Sequence, residues 1–334
     1  MGMSSSRRKV LVVGATGTIG RATTRALVAR GHDVVCLVRQ HSSDAGGPAK
    51  GAADPSLAGA RLHVGDVLDP ATLTANWLAA EGFAAIVSCL ASRTGTPRDA
   101  WTIDHAAHSR ILAAARGAGI GQMVLLSAIC VQKPLLDFQH AKLAFERELI
   151  ASGLTYSIVR PTAFFKSLSG QVERVRQGKP FLVFGDGRLT ACKPISDRDL
   201  ADYIADCLDD PGRHNRILPI GGPGPAITPR EQGERLFALT GQPPRFRHVP
   251  VAFLDVVIGG LSTAGRIVPS LASKAELARI GRYYATQSML VWNETTGRYD
   301  ADATPATGSE TLFEFYARLV AGDASVALGD HAVF

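Results

Sequence analysis

Three glycines near the start of the chain have the spacing of a phosphate-binding loop. Gly14, Gly17 and Gly20 form a G-x-x-G-x-x-G pattern between a short apolar run and a segment with apolar residues at helical spacing. In a strand-loop-helix unit, such glycines let the backbone approach a pyrophosphate, whose charge the free N–H groups of the helix stabilise. The pattern therefore predicts a dinucleotide site. Its other predicted lining residues are Thr16, Thr18 and Ile19.

The residue that follows the second predicted strand indicates which dinucleotide would bind. NAD sites place a carboxylate about 20 residues beyond the loop, where it binds the 2′-hydroxyl of the adenine ribose. Here that place holds Arg39. A guanidinium pairs through two hydrogen bonds with a 2′-phosphate, so we expect NADPH rather than NADH. Asp66 follows the third strand, where it could accept from the adenine amino group or act as a turn residue, and both interpretations remain open.

Strands and helices alternate through the first half of the chain. The patterns predict helices over 19–30, 101–116 and 138–151, a further helix that begins at Pro70, and strands over 10–13, 33–38, 61–64, 84–90, 123–127 and 156–160. Such alternation indicates a parallel sheet with helices on both faces, the doubly wound α/β fold of Rossmann type. Ligands then bind beyond the carboxyl ends of the strands, where the strand order reverses.

The alternation loosens after about residue 165. We therefore expect residues 1–165 to form the NADPH-binding domain, and residues 166–334 to hold the remaining Rossmann elements and a smaller C-terminal substrate-binding lobe. Residues 185–187 predict a turn between two short strands. Ser196 should cap a helix that runs to Asp209, and Thr228 should cap another through a capping box.

Composition argues against several other classes of protein. Apolar residues make up 46% and charged residues 20% of the 334, and the net charge of +6 is spread without a basic run that could follow nucleic acid. No uncharged apolar stretch reaches the about 18 residues of a membrane span. The five cysteines form no Cys-x-x-Cys pair, and His105 and His108 lack a third ligand nearby, so we expect no metal and a reducing compartment.

Several longer strings resemble one family of reductases. The glycine loop, Arg39, Asp66 and Ser127 are similar to the short-chain dehydrogenase/reductase superfamily, in its atypical branch near the isoflavone reductases. Closer matches resemble the NADPH-dependent 8-vinyl-reductases of divinyl chlorophyllide a, and lie at 88–95, 126–134, 138–143, 160–168, 191–196 and 281–286. The resemblance implies reduction of the 8-vinyl group of this tetrapyrrole, or of its protochlorophyllide precursor, to ethyl during chlorophyll or bacteriochlorophyll synthesis.

The resemblance also implies roles for individual residues. Lys142 matches the lysine of a Tyr-x-x-x-Lys motif that holds the nicotinamide ribose, but Phe138 stands in place of the proton-donating tyrosine. A phenyl ring donates no proton, which disfavours carbonyl reduction. Hydride could instead add to the terminal vinyl carbon, with a proton from Lys142, a nearby hydroxyl or water. Ser127 and His140 are further catalytic candidates. Further cofactor contacts implied by the resemblance are Val67, Leu90, Pro161, Thr162 and Ala163.

A large flat macrocycle requires an open apolar cleft with a few basic groups at its rim. Lys133 or Lys166 could meet the propionate carboxylate of the substrate. The aromatic candidates for the cleft lining, each of which could instead belong to the core, are Phe164, Phe165, Phe253, Tyr283 and Tyr284. Residues 249–269 could alternatively rest on a membrane surface as a peripheral contact, although Asp255 and several glycines argue against it.

Two other functions are compatible with this fold. A non-catalytic NADP-binding regulator also lacks the tyrosine and would bind the cofactor without turnover, and an isoflavone-reductase-like enzyme would act on a smaller conjugated substrate. No plant-type transit extension precedes the first strand, so we expect the cytoplasm of a phototrophic bacterium.

Overall fold

A parallel sheet of seven strands forms the centre of the computed structural model, which describes residues 7–40 and 54–325. Its strands are β1 (Lys9–Val13), β2 (Asp33–Val38), β3 (Arg61–Val64), β4 (Ala85–Ser88), β5 (Gln122–Leu126), β6 (Thr155–Pro161) and, after a β7 in another sheet, β8 (Arg216–Ile220). The order is β3-β2-β1-β4-β5-β6-β8, so the direction of winding reverses between β1 and β4. This confirms the predicted Rossmann-type fold.

Period-two alternation in the strands supplies two separate apolar layers. In β1, Val10 and Val12 pack on one face with Leu27 of α1 (Thr18–Ala29) and Leu200 of α8 (Asp197–Asp206). Leu11 and Val13 pack on the other face, against a second set of helices. That set is α2 (Ala75–Glu81), α4 (His108–Gly117) and α5 (Asp137–Ala151). Burial of both strand faces explains why the strands read as nearly continuous apolar runs.

A third apolar cluster joins α5 and the segment after β5 to the C-terminal lobe. It includes Phe138, Phe165, Phe237, Tyr283 and Tyr316. The helices of this lobe are α6 (Phe165–Leu168), α7 (Val172–Arg176), α9 (Pro229–Leu239), α10 (Val251–Gly265), α11 (Pro269–Thr286) and α12 (Leu312–Ala321). Its strands are β7 (Phe181–Phe184), which pairs in parallel with β9 (Phe246–Val249), and the antiparallel pair β10 (Val291–Asn293) and β11 (Arg298–Asp300). Short 3-10 turns lie at Pro55–Leu57, Ile129–Gln132 and Pro211–Arg213.

Apart from shifts of one to three residues at element ends, such as the helix predicted to run to Asp209 that ends at Asp206, the predicted elements differ from the structure at three places. The strands over 33–38 and 61–64 have the predicted bounds. The helix expected from Pro70 begins only at Ala75, because Thr74 supplies its N-cap by accepting from the Trp77 N–H. The turn at 185–187 follows β7, but the expected second strand does not follow it, since β9 is the strand that pairs with β7.

The third difference concerns the helix predicted over 101–116. It is preceded by α3 (Pro97–Ala100), and its first part, Trp101–Ala107, is a wider π-helical turn that leads into α4. Helical π-turns are rare and are frequently found at functional sites. The two predicted caps are confirmed: the Ser196 hydroxyl accepts from the Asp199 N–H, and Thr228 and Glu231 form a capping box.

None of the helices in the described parts of the chain has both the length and the apolar character that crossing a bilayer requires.

Asp199 in α8 attaches the C-terminal segment to the Rossmann domain. Its buried carboxylate accepts the backbone N–H groups of Ser309 and Glu310, each at 3.2 Å. Hydrogen bonds to a charged group contribute about 1.5–3 kcal/mol each. We therefore expect Asp199→Ala to lower the free energy of unfolding by about 2–4 kcal/mol in chemical denaturation. Asp202 lies on the same helix as Asp199, and its side chain forms a partly exposed ion pair with Arg30. Asp202→Ala should therefore cost less than about 1 kcal/mol. Equal losses in both variants would contradict this role.

Candidate functional site

The glycine loop lies at the point where the strand order reverses. Gly14, at the end of β1, has φ +76°, and a Cβ atom there would lie 2.6 Å from the Cys89 carbonyl group. A Cβ on Gly20 would lie 2.1 Å from the Gly14 carbonyl oxygen. These two glycines therefore allow the loop to pack between β1, β4 and α1.

The middle glycine of the loop faces open space. Gly17 is exposed, and a Cβ atom there would meet only the Gly14 oxygen at 3.4 Å. Gly17 is also the N-cap of α1, with no side-chain hydrogen bond and no acidic residue in the first turn. The first N–H groups of α1 are thus available to an anion, and the loop fits a dinucleotide pyrophosphate.

Lys166 reaches the same helix end from α6. Its Nζ atom donates to the Thr18 hydroxyl at 3.2 Å. Nearby, Asp197 has a buried oxygen without a hydrogen-bond partner; burial raises the pKa of this carboxyl, and the charge of Lys166 opposes that shift. The structure therefore places Lys166 beside the glycine loop, whereas the sequence predicted contact with the substrate.

The ends of β2 and β3 bring Arg39 and Asp66 to the same edge of the sheet. Val38 and Val64 are paired, and Arg39 is exposed directly after β2. The Asp66 carboxylate accepts from the Leu68 N–H at 2.9 Å, and the Asp66 N–H donates to the Thr72 hydroxyl. Asp66 therefore has the turn role that was one of its two predicted alternatives. Val67 and Leu90 pack partly buried against the apolar layer of α2, α4 and α5.

Lys142 forms an ion pair that the sequence did not reveal. Its Nζ atom lies 2.9 Å from Oδ1 of Asp104, in the π-helical turn. The Asp104 side chain is completely buried, Oδ1 also accepts from the Ser92 N–H at 3.1 Å, and Oδ2 has no partner. Lys142 retains 12% exposure. The carboxylate therefore fixes the ammonium group of a side chain that is not fully buried.

His108 lies close to this pair and is neutral. Its Nδ1 atom lies 2.9 Å from the Ile103 carbonyl oxygen, to which it must donate, so Nε2 accepts from the Ser88 hydroxyl at 2.8 Å. Burial, together with the charge of Lys142, lowers the pKa of His108 to about 4. His105 instead pairs with Glu148 at 2.7 Å. Among residues 7–40 and 54–325, no three His, Cys, Asp or Glu side chains are grouped as metal ligands.

Phe138 lies in the apolar wall of the C-terminal lobe. It is 8% exposed and packs in one cluster with Ile280 and Tyr283 of α11. Gly95, with φ +67°, closes the wall: a Cβ atom there would lie 2.8 Å from Ile280 and 3.9 Å from Phe138. The position of the usual catalytic tyrosine is thus occupied by a buried, purely apolar contact.

The two predicted substrate tyrosines hold the loop that follows β5. The Tyr283 hydroxyl donates to the carbonyl oxygens of Cys130 and Lys133, at 2.9 and 3.1 Å. The Tyr284 hydroxyl is directed at the Cys130 thiol. Burial raises the pKa of both phenols, so neither is ionised near neutral pH. Lys133 lies 4.5 Å from the ring centre of Trp292 in a cation–π contact.

The remaining predicted residues are dispersed. The buried Ser127 hydroxyl donates to Glu146, which is ion-paired with Arg160, and His140 is exposed. Phe164 and Phe165 pack against different apolar clusters, and Phe253 is 57% exposed on α10. Pro161 and Thr162 are buried at the end of β6, where the Thr162 hydroxyl donates to the Lys193 carbonyl oxygen. Ala163 and Thr16 are half-buried, and Ile19 is buried in α1.

Lys142, Asp104 and Phe138 therefore form the candidate active site.

Comparison with known proteins finds a cofactor-binding family and named relatives. The model of an NAD(P)H-binding family matches residues 14–211. The chloroplastic divinyl chlorophyllide a 8-vinyl-reductase of Oryza sativa subsp. indica is 51% identical, across 99% of this chain and 84% of that protein. The protein of the same name in Arabidopsis thaliana is 48% identical, across 96% and 79%.

A solved structure supports the fold. The Escherichia coli NADPH-dependent quinone oxidoreductase QOR2, in complex with NADPH, superposes with a TM-score of 0.65 at 17% identity, covering 93% of this chain and 99% of that one.

The predicted location is wrong. We expected the cytoplasm of a phototrophic bacterium, whereas the rice and Arabidopsis relatives that match nearly the whole chain are chloroplastic proteins. The expectation depended on the residues before the first strand, and the names of the matching relatives overturn it.

The neutral His108 predicts a loss of stability in mild acid. Its pKa is about 4 in the folded protein against 6.5 ordinarily, so between these values only the unfolded chain is protonated, and stability falls as pH decreases through this window. We expect up to about 3 kcal/mol of the free energy of unfolding to be lost by this route. His108→Gln should flatten the profile in denaturation series. Burial also lowers the pKa of His32, but His32→Gln should leave the contribution of His108 to the pH dependence in place. A profile unchanged by His108→Gln would refute this assignment.

Arg39 predicts the choice of cofactor. If its guanidinium pairs with a 2′-phosphate, Arg39→Ala should weaken NADPH binding by about 10- to 100-fold and leave NADH binding unchanged, because one charge-assisted contact is lost. Calorimetric titration measures both. Arg61→Ala removes the same charge from the start of β3, where Arg61 pairs with Glu81, and should affect neither cofactor. Parallel weakening for NADPH and NADH would exclude a 2′-phosphate contact.

Proposed function

The chain belongs to the family of divinyl chlorophyllide a 8-vinyl-reductases, and from this premise we propose that it is an NADPH-dependent oxidoreductase that reduces the 8-vinyl group of divinyl chlorophyllide a to ethyl. The observation that carries the proposal is the match to reductases of that name, which covers 99% and 96% of the chain. The NAD(P)H-binding family match and the open glycine loop support the cofactor half. Phe138 in place of tyrosine supports reduction of a carbon–carbon rather than a carbonyl double bond.

Bound NADPH supplies the hydride for this reduction. Gly14, Gly17 and the first turn of α1 would hold the pyrophosphate, with Lys166 beside them to balance its charge. Arg39 would bind the 2′-phosphate at the edge of the sheet. The other proposed cofactor contacts are Thr16, Thr18, Ile19, Gly20, Asp66, Val67, Leu90, Pro161, Thr162 and Ala163.

Lys142 is the proposed catalytic residue, and Asp104 is its positioning residue. The ammonium group would donate hydrogen bonds to the nicotinamide ribose and supply the proton, directly or through one water, to the inner vinyl carbon. A hydride at the terminal carbon and this proton at the inner carbon would together account for the two hydrogen atoms that the product gains. Of the other catalytic candidates, Ser127 already donates to Glu146 and His140 is exposed. Asp104 also accepts from the Ser92 N–H, which fixes the carboxylate from a second side.

Phe138, Ile280 and Gly95 would form an apolar wall for the macrocycle. A dry surface suits a flat aromatic substrate and keeps competing proton donors away from the vinyl group. Lys133, 4.5 Å from the Trp292 ring centre, is the proposed partner for the propionate carboxylate at the edge of this wall. The proposed aromatic lining is Phe164, Phe165, Tyr283 and Tyr284; Phe253 is not among them, because it is exposed on α10.

Anaerobic incubation with NADPH and divinyl chlorophyllide a tests the reaction. We expect a blue shift of the Soret band and a product heavier by two hydrogen atoms, and the same assay with the protochlorophyllide form tests its use as a substrate. Lys142→Ala should lower kcat by about 100-fold or more, since a positioned proton donor contributes about 10²- to 10⁴-fold. Asp104→Asn should lower kcat less and shift its pH profile. Lys179→Ala removes an exposed lysine and should leave the rate unchanged.

Two results would contradict the proposal. Tight NADPH binding without any conversion of pigment would favour a non-catalytic NADP-binding regulator. Conversion at the same rate in Lys142→Ala and Lys179→Ala would keep the reaction but exclude Lys142 as the catalytic residue.

A further inference from the structure

Helix α10 is apolar but contributes nothing to any core. Among its 15 residues, Asp255 is the single charged one, and none of the 15 is buried. One side packs along α11, where Gly265 lies against Ala272 and Asp255 pairs with Arg282. A helix that is hydrophobic on all sides is normally buried. The side of α10 that faces away from α11 therefore lacks the covering expected for its composition.

That side, the outer face of α10, carries no charged side chain; the exposed Asp255 lies at its border, where it pairs with Arg282 of α11. Its exposed residues recur three and four positions apart, so they lie on one side of the helix. Val256 is 73% exposed, and Ile267, just beyond the helix end, is 86% exposed. The outer face consists of Ala252, Phe253, Val256, Gly259, Gly260 and Thr263, and Ile267 and Val268 continue it.

Basic residues outnumber acidic ones in the hairpin of α10 and α11 and in the strand that precedes it. Residues 245–282 contain six Lys or Arg and two acidic residues. Both acidic residues are paired with arginines, Asp255 with Arg282 and Glu276 with Arg279. Within residues 7–40 and 54–325, Arg247, Arg266 and Lys274 are exposed and form no ion pair. The hairpin of α10 and α11 thus combines an apolar strip with unneutralised positive charge.

We propose that this hairpin docks on a lipid bilayer that contains anionic headgroups. The outer face of α10 lies in the boundary between headgroups and acyl chains, and Arg247, Arg266 and Lys274 contact the headgroup phosphates. Interfacial helices are recognised by this combination of an exposed apolar side and flanking basic residues. Each basic residue near an anionic surface adds to the attraction.

Size and charge favour a bilayer over a second copy of the chain. A helix of 15 residues is about 22 Å long and presents a strip about 10 Å wide, or roughly 220 Å². A stable protein interface buries about 800 Å² on each partner. Two such hairpins would also bring their unpaired cations together, whereas an anionic bilayer complements them.

The hairpin is connected to the candidate active site through α11. The same helix supplies Ile280 and Tyr283 to the apolar cluster that contains Phe138. Docking would therefore hold the proposed pigment cleft close to the membrane surface. This consequence rests on the proposed function, but the docking itself does not.

Sedimentation with pigment-free vesicles tests the docking. The full chain should cosediment with vesicles of phosphatidylcholine and phosphatidylglycerol, and much less with phosphatidylcholine alone or at high salt. Val256→Asp and Ile267→Asp should each lower the partition coefficient by about tenfold. Arg266→Glu with Lys274→Glu should abolish the preference for phosphatidylglycerol. The matched control is Ile150→Asp, which places the same charge at a 42% exposed isoleucine on α5 and should bind as the unmodified chain does.

Each variant is checked for NADPH affinity and for reduction of detergent-dispersed pigment, so that loss of docking is distinguished from unfolding and from failure of the proposed reaction. Absence of cosedimentation by the unmodified chain, or equal loss in Val256→Asp and Ile150→Asp, would overturn the proposal. Size-exclusion chromatography supplies a third result: a dimer that Val256→Asp dissociates would assign the outer face to a second copy and would also overturn it.

Discussion

The close approach of backbone to backbone at Gly14 and Gly20 is the constraint on which the rest of the site depends. A side chain at either position would overlap main-chain atoms, of Cys89 in one case and of Gly14 in the other. Only glycine lets α1 start directly at the end of β1, beside β4. The N–H groups of α1 then point to the place where the strand order reverses. Because all seven strands are parallel, the same edge receives Arg39 from β2 and Asp66 from β3.

The buried ion pair between Lys142 and Asp104 is the second feature on which the site depends. A fully buried carboxylate with one unpartnered oxygen costs free energy, and the Coulomb attraction of a single lysine seldom exceeds that cost. A merely structural role would be filled as well by apolar residues. The neutral state of His108 fits the same interpretation, since a protonated imidazole would place a second cation against Lys142. The π-helical turn carries Asp104 and ends just before His108.

Much of the fold could be predicted from the sequence, because alternating strands and helices allow few other arrangements. β2 and β3 had the predicted bounds, since turn residues enclose an apolar run in β2 and an alternating polar–apolar segment in β3. Pro70 misled the prediction because proline suits a turn as well as a first helical turn. The glycine loop could be located, but Lys166 could not be placed, since its contact with Thr18 joins residues 148 positions apart. Asp104 was missed because a single acidic residue in a helical pattern is normally exposed, and no sequence signal marks a π-turn.

Phe138 replaces the proton donor of carbonyl reduction with an apolar contact. A tyrosine at this position would have its hydroxyl in an apolar cluster with Ile280 and Tyr283, where burial disfavours the phenolate. The phenyl ring instead extends the apolar wall, and the lysine four residues later is retained one helical turn away. A fold shared by reductases, epimerases and regulators does not determine this choice. In the proposed site, a fixed ammonium lies beside a phenyl ring instead of a phenol, and the Tyr283 hydroxyl already donates to the Cys130 and Lys133 carbonyl oxygens; this combination suits a conjugated vinyl group better than a carbonyl.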